Sequence, residues 1–158
     1  MKGGKSMKYY EDIQIGDKVL TPGKTLTDAM VTIMVSLAGY TEPFFHDEEF
    51  AKQTPFKGRI MPGLLVVLVA GGLAEHTGYW DGATIGLMGV ENIKFPAPAR
   101  PGDTIRVEME IINKKETSKP GQGLVWDRKT CRNQRGEVVA VADFIHLAKR
   151  RPQVFDTR

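Results

Sequence analysis

The segment that most constrains this chain runs from Leu64 to about His76, within GLLVVLVAGGLAEH. It is apolar nearly all the way round a helical wheel, so as a helix it has no face to turn to water and must be covered on most sides. Its glycines and alanines permit close approach of whatever covers it, and Pro62-Gly63 opens it. Downstream the hydrophobic period changes from helical to two. Ile105, Val107, Met109 and Ile111 alternate with Arg106, Glu108 and Glu110, the strongest strand signal in the chain. ATIGLMG and VENIKF read as one strand or two consecutive ones, followed by the turn PAPARPGD. Lys119–Gly123 is a turn, and Leu124–Asn133 a further strand carrying Trp126. Arg135-Gly136 is a hairpin turn, and Val138–Ala148 closes the set.

Upstream of the apolar helix, Val19 to Leu26 is extended and broken by Pro22-Gly23. Thr27 reads as the N-cap of a helix whose face is Met30, Ile33, Met34 and Leu37, ended by Gly39. Residues 40–62 lack a strand period. Asp47 is expected to cap a short helix through Lys52, and the rest is expected to be an ordered loop.

A helix that must be surrounded, followed by long antiparallel strands, has a natural joint solution in which the sheet curls round the helix. The expected class is therefore α+β, a hot dog fold with an antiparallel sheet wrapped around a long central helix. An ordinary two-layer sandwich is the alternative. Such a sheet leaves an outer or edge surface for a second copy, so a homodimer or a higher even oligomer is expected. The 158 residues form one domain, 1–158, with 1–7 a flexible extension and 150–158 a basic tail around Lys149, Arg150 and Arg151. A chain of this length buries roughly two thirds of its unfolded surface and needs no staples.

Composition removes several function classes. The single cysteine, Cys131, cannot form an internal bridge, and three histidines with one cysteine make no tetrahedral metal set. No apolar run approaches the roughly 20 residues of a membrane span, and the N-terminus lacks a signal-peptide core, so a cytoplasmic protein with no membrane partner is expected. The net charge of +3 permits an anionic small molecule. No recognition helix, zinc spacing or interleaved aromatic and basic stripe points to nucleic acid.

Read together, YEDIQIGDKV, LAGYTEPFFHDEEFAK, FKGRIMPGLL and IKFPAPARPGDTIRVEMEI resemble the MaoC-like dehydratase family, which includes the (R)-specific enoyl-CoA hydratases. The F-x-x-P-x-x-x-G-D turn and the G-R-I-x-x-G helix opening carry most of the specificity. The resemblance implies a hot dog fold and an acyl thioester of coenzyme A or acyl carrier protein as ligand, with no resident cofactor. It also implies a G-D-x-N-P-x-H-x-D segment whose Asp and first His hold a water. Laid on GYTEPFFHD, Gly39, Pro43 and Asp47 match, but Tyr40, Glu42 and Phe45 stand where the family has Asp, Asn and His. His46 is one place late, so the dyad is absent from its usual positions.

Hydration of an enoyl thioester needs a base for water attacking C3, an acid for C2 and a donor at the carbonyl oxygen. Gly63 matches the family's donor: its N–H lies in the first helical turn, unpaired and at the positive end of the dipole. The alternative is that Gly63 only lets the helix start tightly against the sheet. Tyr40, Glu42 and His46 are the acid–base candidates. Glu42 and His46, four apart, would form a workable pair if a local bulge turned His46 inward. The competing arrangement turns His46 to solvent and fills the space with Phe44 and Phe45. Arg59 is expected to pair with a carboxylate near the helix start or to approach the ligand's phosphates. Phe45, Phe56, Met61, Leu64 and Met88 are expected to line the acyl site, with ordinary core packing as the alternative. His76, His146 and Cys131 are read as structural. Three functions remain open: an acyl-CoA hydratase or dehydratase, a non-catalytic acyl-thioester-binding subunit, and a thioesterase using Glu42 or Asp47.

Overall fold

The computed structural model describes residues 8–152. The expected extension at 1–7 and residues 153–158 of the expected tail lie outside the described residues. Two short strands, β1 (Lys18–Leu20) and β2 (Lys24–Thr25), precede α1 (Asp28–Ala38), α2 (Pro43–His46), α3 (Glu48–Gln53) and α4 (Gly63–His76). Four long strands follow: β3 (Thr84–Lys94), β4 (Thr104–Glu116), β5 (Gln122–Arg132) and β6 (Val138–Lys149). All pairings are antiparallel. The sheet order is β1-β4-β5-β6-β3, with β2 also on β4, so β3 is an edge.

The caps fall where local chemistry puts them. Thr27 accepts from Met30 N–H at 3.3 Å and Gly39 ends α1 at φ 73°, while Asp47 accepts from Phe50 N–H at 2.9 Å to start α3. Each of the two N-caps, Thr27 and Asp47, contributes about 1 kcal/mol. The stretch expected to be loop before Asp47 contains α2, started by Pro43 at its first position, where a missing N–H costs nothing.

The period-two residues form the concave face of the sheet. Ile105, Val107, Met109 and Ile111 on β4 are fully buried, joined by Val125 and Cys131 on β5 and by Ala140, Ala142, Phe144 and Ala148 on β6. Against them α4 places Leu65, Val66, Val67, Ala70, Leu73 and Ala74. The expected wrapping is present, and α4 is covered on most sides, but one stripe is left open. Leu64 is 53% and Leu68 62% exposed, with Gly72 and Glu75 continuing the open stripe. The reason is topological: the sheet ends at β3, and none of the described residues lies beyond that edge.

Two further readings change. ATIGLMG and VENIKF are one strand, irregular between Thr84 and Gly86, Leu87 and Gly89, and Glu91 and Lys94. The C-terminal arginines are not a solvated tail where the structure describes them. Arg150 pairs with Glu11 and Glu116, each at 3.0 Å, and Arg151 with Asp12 at 2.6 Å. They clamp the last strand to the N-terminal turn.

Candidate active site

The segment carrying the expected acid–base groups is organised by its aromatics. Phe45 is buried, packed on Tyr40 at 5.5 Å and Phe44 at 4.6 Å between ring centroids, and Phe44 reaches Phe56 at 5.7 Å. Phe45 therefore belongs to the core rather than to a ligand surface, because helix α2 turns it inward. The same turn carries His46 outward: it is exposed, with Nε2 3.1 Å from the Tyr40 carbonyl oxygen. Glu42 is exposed before α2, and no hydrogen bond joins it to His46 among the described residues. The structure thus brings Tyr40 and His46 together through a backbone carbonyl and leaves Glu42 apart.

The entry to α4 is held by arginines. Arg59 lies 2.6 Å from Asp28 and 3.3 Å from Glu48, tying the starts of α1 and α3 to the loop before α4. Of its two expected roles it takes the carboxylate one. Arg100, which the sequence reading passed over, donates to the carbonyls of Phe56 and, at 3.5 Å, of Arg59. At the helix start, Leu65 and Val66 N–H donate to the Pro62 carbonyl. The Gly63 N–H has no acceptor among the described residues, as expected of the first helical position. Gly63 lines a cavity of about 370 Å³ with Phe56, Met61, Val66 and Phe95. Met61 is only 3% exposed and contributes from the core side. Phe95 packs so closely that a Cβ on Gly63 would stand 2.7 Å from two of its ring carbons.

From the same end of α4 a second, larger cleft of about 590 Å³ runs along the uncovered stripe. Leu64, Leu68, Gly71, Gly72 and Glu75 form one wall, and Thr84, Leu87, Val90 and Ile93 of β3 the other. Leu64 is a lining residue, as expected. Met88 is not: it is the extra residue between the Leu87–His146 and Gly89–Ile145 pairs, so the bulge turns Leu87 to the cleft.

The floor of this cleft holds Asp127 and Lys129, which sequence reasoning missed, beside His146, which it read as structural. Lys129, His146 and Phe144 face it, and Asp127 lies beneath. Asp127, Lys129 and His146 are 0%, 1% and 4% exposed in an otherwise aliphatic core. The Lys129 ammonium donates to Asp127 Oδ1 and stands 3.8 Å over the Phe144 ring. Burial pushes its pKa below the ordinary lysine value, with the Asp127 carboxylate opposing. His146 stacks on Trp80 with centroids 4.1 Å apart. Its Nε2 lies 2.9 Å from Asp127 Oδ2, a contact not aligned as a hydrogen bond. A signal was available: Val125 and Cys131 point inward on β5, so Asp127 and Lys129 between them must too. Among the described residues no group of three metal-ligating side chains is assembled, and no helix is long and apolar enough to cross a membrane.

Comparison with known proteins places this geometry. Residues 12–130 match the family model described as the MaoC-like domain. Protein MaoC of Klebsiella aerogenes is 36% identical over 107 residues, covering 68% of this chain and 31% of that protein. The chain thus spans about a third of that relative's length. The (R)-specific enoyl-CoA hydratase of Rhodospirillum rubrum is 28% identical over 125 residues, 79% of this chain and 81% of the enzyme. Among solved structures, a monoamine oxidase regulatory protein from Archaeoglobus fulgius superposes with a TM-score of 0.86 at 30% identity, covering 92% of this chain and 97% of that one. A Mycobacterium tuberculosis protein with a double hot dog fold superposes at 0.77 with 22% identity, covering 94% of this chain and 46% of that one. This is the same fold. The family so defined includes hydratases and dehydratases. With three quarters of its length matched and its sheet wrapped on one central helix, this chain belongs to the MaoC-like dehydratase domain family.

Proposed function

We propose that the protein hydrates an enoyl thioester, or dehydrates the corresponding hydroxyacyl thioester, with coenzyme A or acyl carrier protein as the carrier and no resident cofactor. One observation carries the reading: the unpaired Gly63 amide at the positive end of α4 opens into a cavity, and an apolar cleft starts one residue further on. The thioester oxygen takes the Gly63 N–H. The resulting polarisation draws electrons from the C2–C3 double bond toward the carbonyl, so water adds its oxygen at C3 and C2 receives a proton. The Tyr40 hydroxyl and the His46 imidazole, whose Nε2 is held at the Tyr40 backbone carbonyl, supply the proton traffic, with Glu42 near in sequence. The acyl chain lies along α4 between Leu64 and β3. A second copy covers the exposed Ile85, Met88 and Phe95 at the β3 edge, making a homodimer. The resemblance to an (R)-specific hydratase supports the same chemistry.

A second reading rests on His46 having no carboxylate partner among the described residues: a subunit that binds acyl thioesters without turning them over. Crotonyl-CoA separates the two. Loss of its conjugated ultraviolet absorbance on adding protein is the expected result, slowed about 10²-fold or more by His46→Ala and by Tyr40→Phe. Saturable binding with unchanged absorbance selects the binding subunit. Thiol release with the double bond retained selects a thioesterase. Either of the last two outcomes overturns the hydratase reading.

A further inference from the structure

Four buried side-chain polar atoms lack a hydrogen-bond partner among the described residues: Trp80 Nε1, Thr84 Oγ1, Asp127 Oδ2 and His146 Nε2. They fall in one place. Trp80 stacks on His146, His146 touches Asp127, and Thr84 and His146 both line the cleft along α4. Asp127 Oδ2 and His146 Nε2 lie 2.9 Å from each other, and Trp80 is buried behind His146, so the Thr84 hydroxyl is the cleft-lining atom left without any polar neighbour among the described residues. A buried hydroxyl left unpaired is costly, which marks this end of the cleft as a place completed by something else. Lys129 strengthens the point. Of its three ammonium hydrogens, one goes to Asp127 Oδ1, and the cleft is open to the group.

Charge decides the chemistry of what completes it. Asp127 and Glu75 together set two negative charges against the one on Lys129, which disfavours an anionic ligand group. A cation is poorly served as well, because it would have to sit beside the Lys129 ammonium, which stands between the cleft and Asp127. A neutral oxygen fits: it accepts from Lys129, and a hydroxyl also donates to His146 or Glu75. The position decides where on the ligand that oxygen is. The cleft runs from Leu64 to Glu75, roughly 16 Å at 1.5 Å per residue. Thr84 and His146 lie at its far end from Gly63, past the Val90–Phe144 pair, and the Lys129 ammonium stands beside them over the Phe144 ring.

We infer that the Thr84, Lys129 and His146 end of the cleft recognises a hydroxyl or oxo oxygen on the distal part of the acyl chain, so that the substrates are thioesters of medium-length chains oxygenated near their far end. This rests on the thioester reading above and names its substrate class. A plain alkyl chain of that length would place methyl and methylene groups against the Thr84 hydroxyl and the Lys129 ammonium. Sites built around a hydrogen-bonding oxygen discriminate strongly against the analogue lacking it.

The test compares trans-2-decenoyl-CoA with its ω-hydroxy derivative on the full chain. The expected result is a preference of about 10-fold or more in kcat/KM for the hydroxylated chain. Lys129→Met is expected to bring that ratio to about one. Thr84→Val, nearly isosteric and on a half-exposed edge strand, keeps the fold secure and is expected to lower the ratio about 3-fold. Equal kcat/KM in the wild type, or a preference for the plain chain, overturns the inference. If neither thioester is turned over, it is the hydratase reading that falls. Calorimetric binding of decanoate against ω-hydroxydecanoate then decides the site: tighter binding of the hydroxy acid, lost in Thr84→Val, sustains it, and equal affinity removes it.

Discussion

Gly63 carries two assignments at once, and one substitution separates them. A Cβ added there would sit 2.7 Å from two Phe95 ring carbons and 2.9 Å from a third. Comfortable carbon–carbon separation is roughly 3.5–4.0 Å, so the ring or the helix start must yield by about 1 Å. Overpacking of this kind costs typically 1–3 kcal/mol. Alanine's intrinsic advantage over glycine in a helix, at most about 1 kcal/mol, offsets part of it. Gly63→Ala should therefore destabilise by about 1–2 kcal/mol, lowering Tm by roughly 2–8 °C. Phe95 is 45% exposed within one protomer, so Phe95→Ala should cost the protomer's own packing little, its further effect falling on association with the second copy. The double variant should regain most of the loss, with a coupling energy of about 1–2 kcal/mol in urea melts of unchanged slope. Hydration of crotonyl-CoA should fall in Gly63→Ala even where the fold is intact, because the methyl stands where the thioester approaches the amide. Additivity of the two substitutions to within about 0.5 kcal/mol would refute the packing argument. Full activity in a folded Gly63→Ala would refute the amide as donor.

Two further outcomes follow from buried ionisable groups. Burial in β5 pushes the Cys131 thiol up to about 12, with Lys129 pulling the other way; a thiol reagent near pH 8 should label it roughly 10³-fold more slowly in the native protein than in denaturant, since the thiolate is the reactive form, and rapid native labelling would contradict the packing described. Asp143 accepts from Arg128 at 2.7 and 2.8 Å and from Asn92 at 2.9 Å, and the Arg128 hydrogen bonds hold its carboxyl below the usual range against the opposing effect of burial. A carboxyl lowered on folding contributes stability that is complete above its unfolded value and lost as pH falls through the folded one. Asp143→Asn should thus cost about 2 kcal/mol at neutral pH, with the gap to wild type closing below about pH 4; a gap independent of pH would sink the assignment.

The architecture was legible because its causes are periodic. Alternation through Ile105–Ile111 and the apolar run from Leu64 each bury one geometry only, and Thr27, Gly39 and Asp47 act within a turn of where they stand. What escaped was set by relations between distant segments. Helix α2 follows from Pro43 locally, yet the inward turn of Phe45, and so the outward turn of His46, depends on Phe44 meeting Phe56. Met88 alternates correctly in sequence, but a bulge paid out against β6 moved Leu87 into its place. Arg59 offered two partners on paper, and Asp28, thirty-one residues away, decided between them. The open stripe on α4 reflects where the sheet stops, which no single segment encodes.

The Asp127–Lys129–His146 set belongs to a different category, since strand alternation did point all three inward. It was passed over because a buried Lys is not what such a face ordinarily holds. On β5 the set interrupts Val125 and Cys131, and on β6 it interrupts Phe144 and Ala148, dividing the interior into two apolar clusters. Apolar residues of similar volume would usually be as stable there or more so. Folding alone therefore gives no account of these three residues. What their place in the sheet does offer is the cleft along α4, which Lys129 and His146 line with Asp127 beneath, Thr84 and Glu75 facing in beside them.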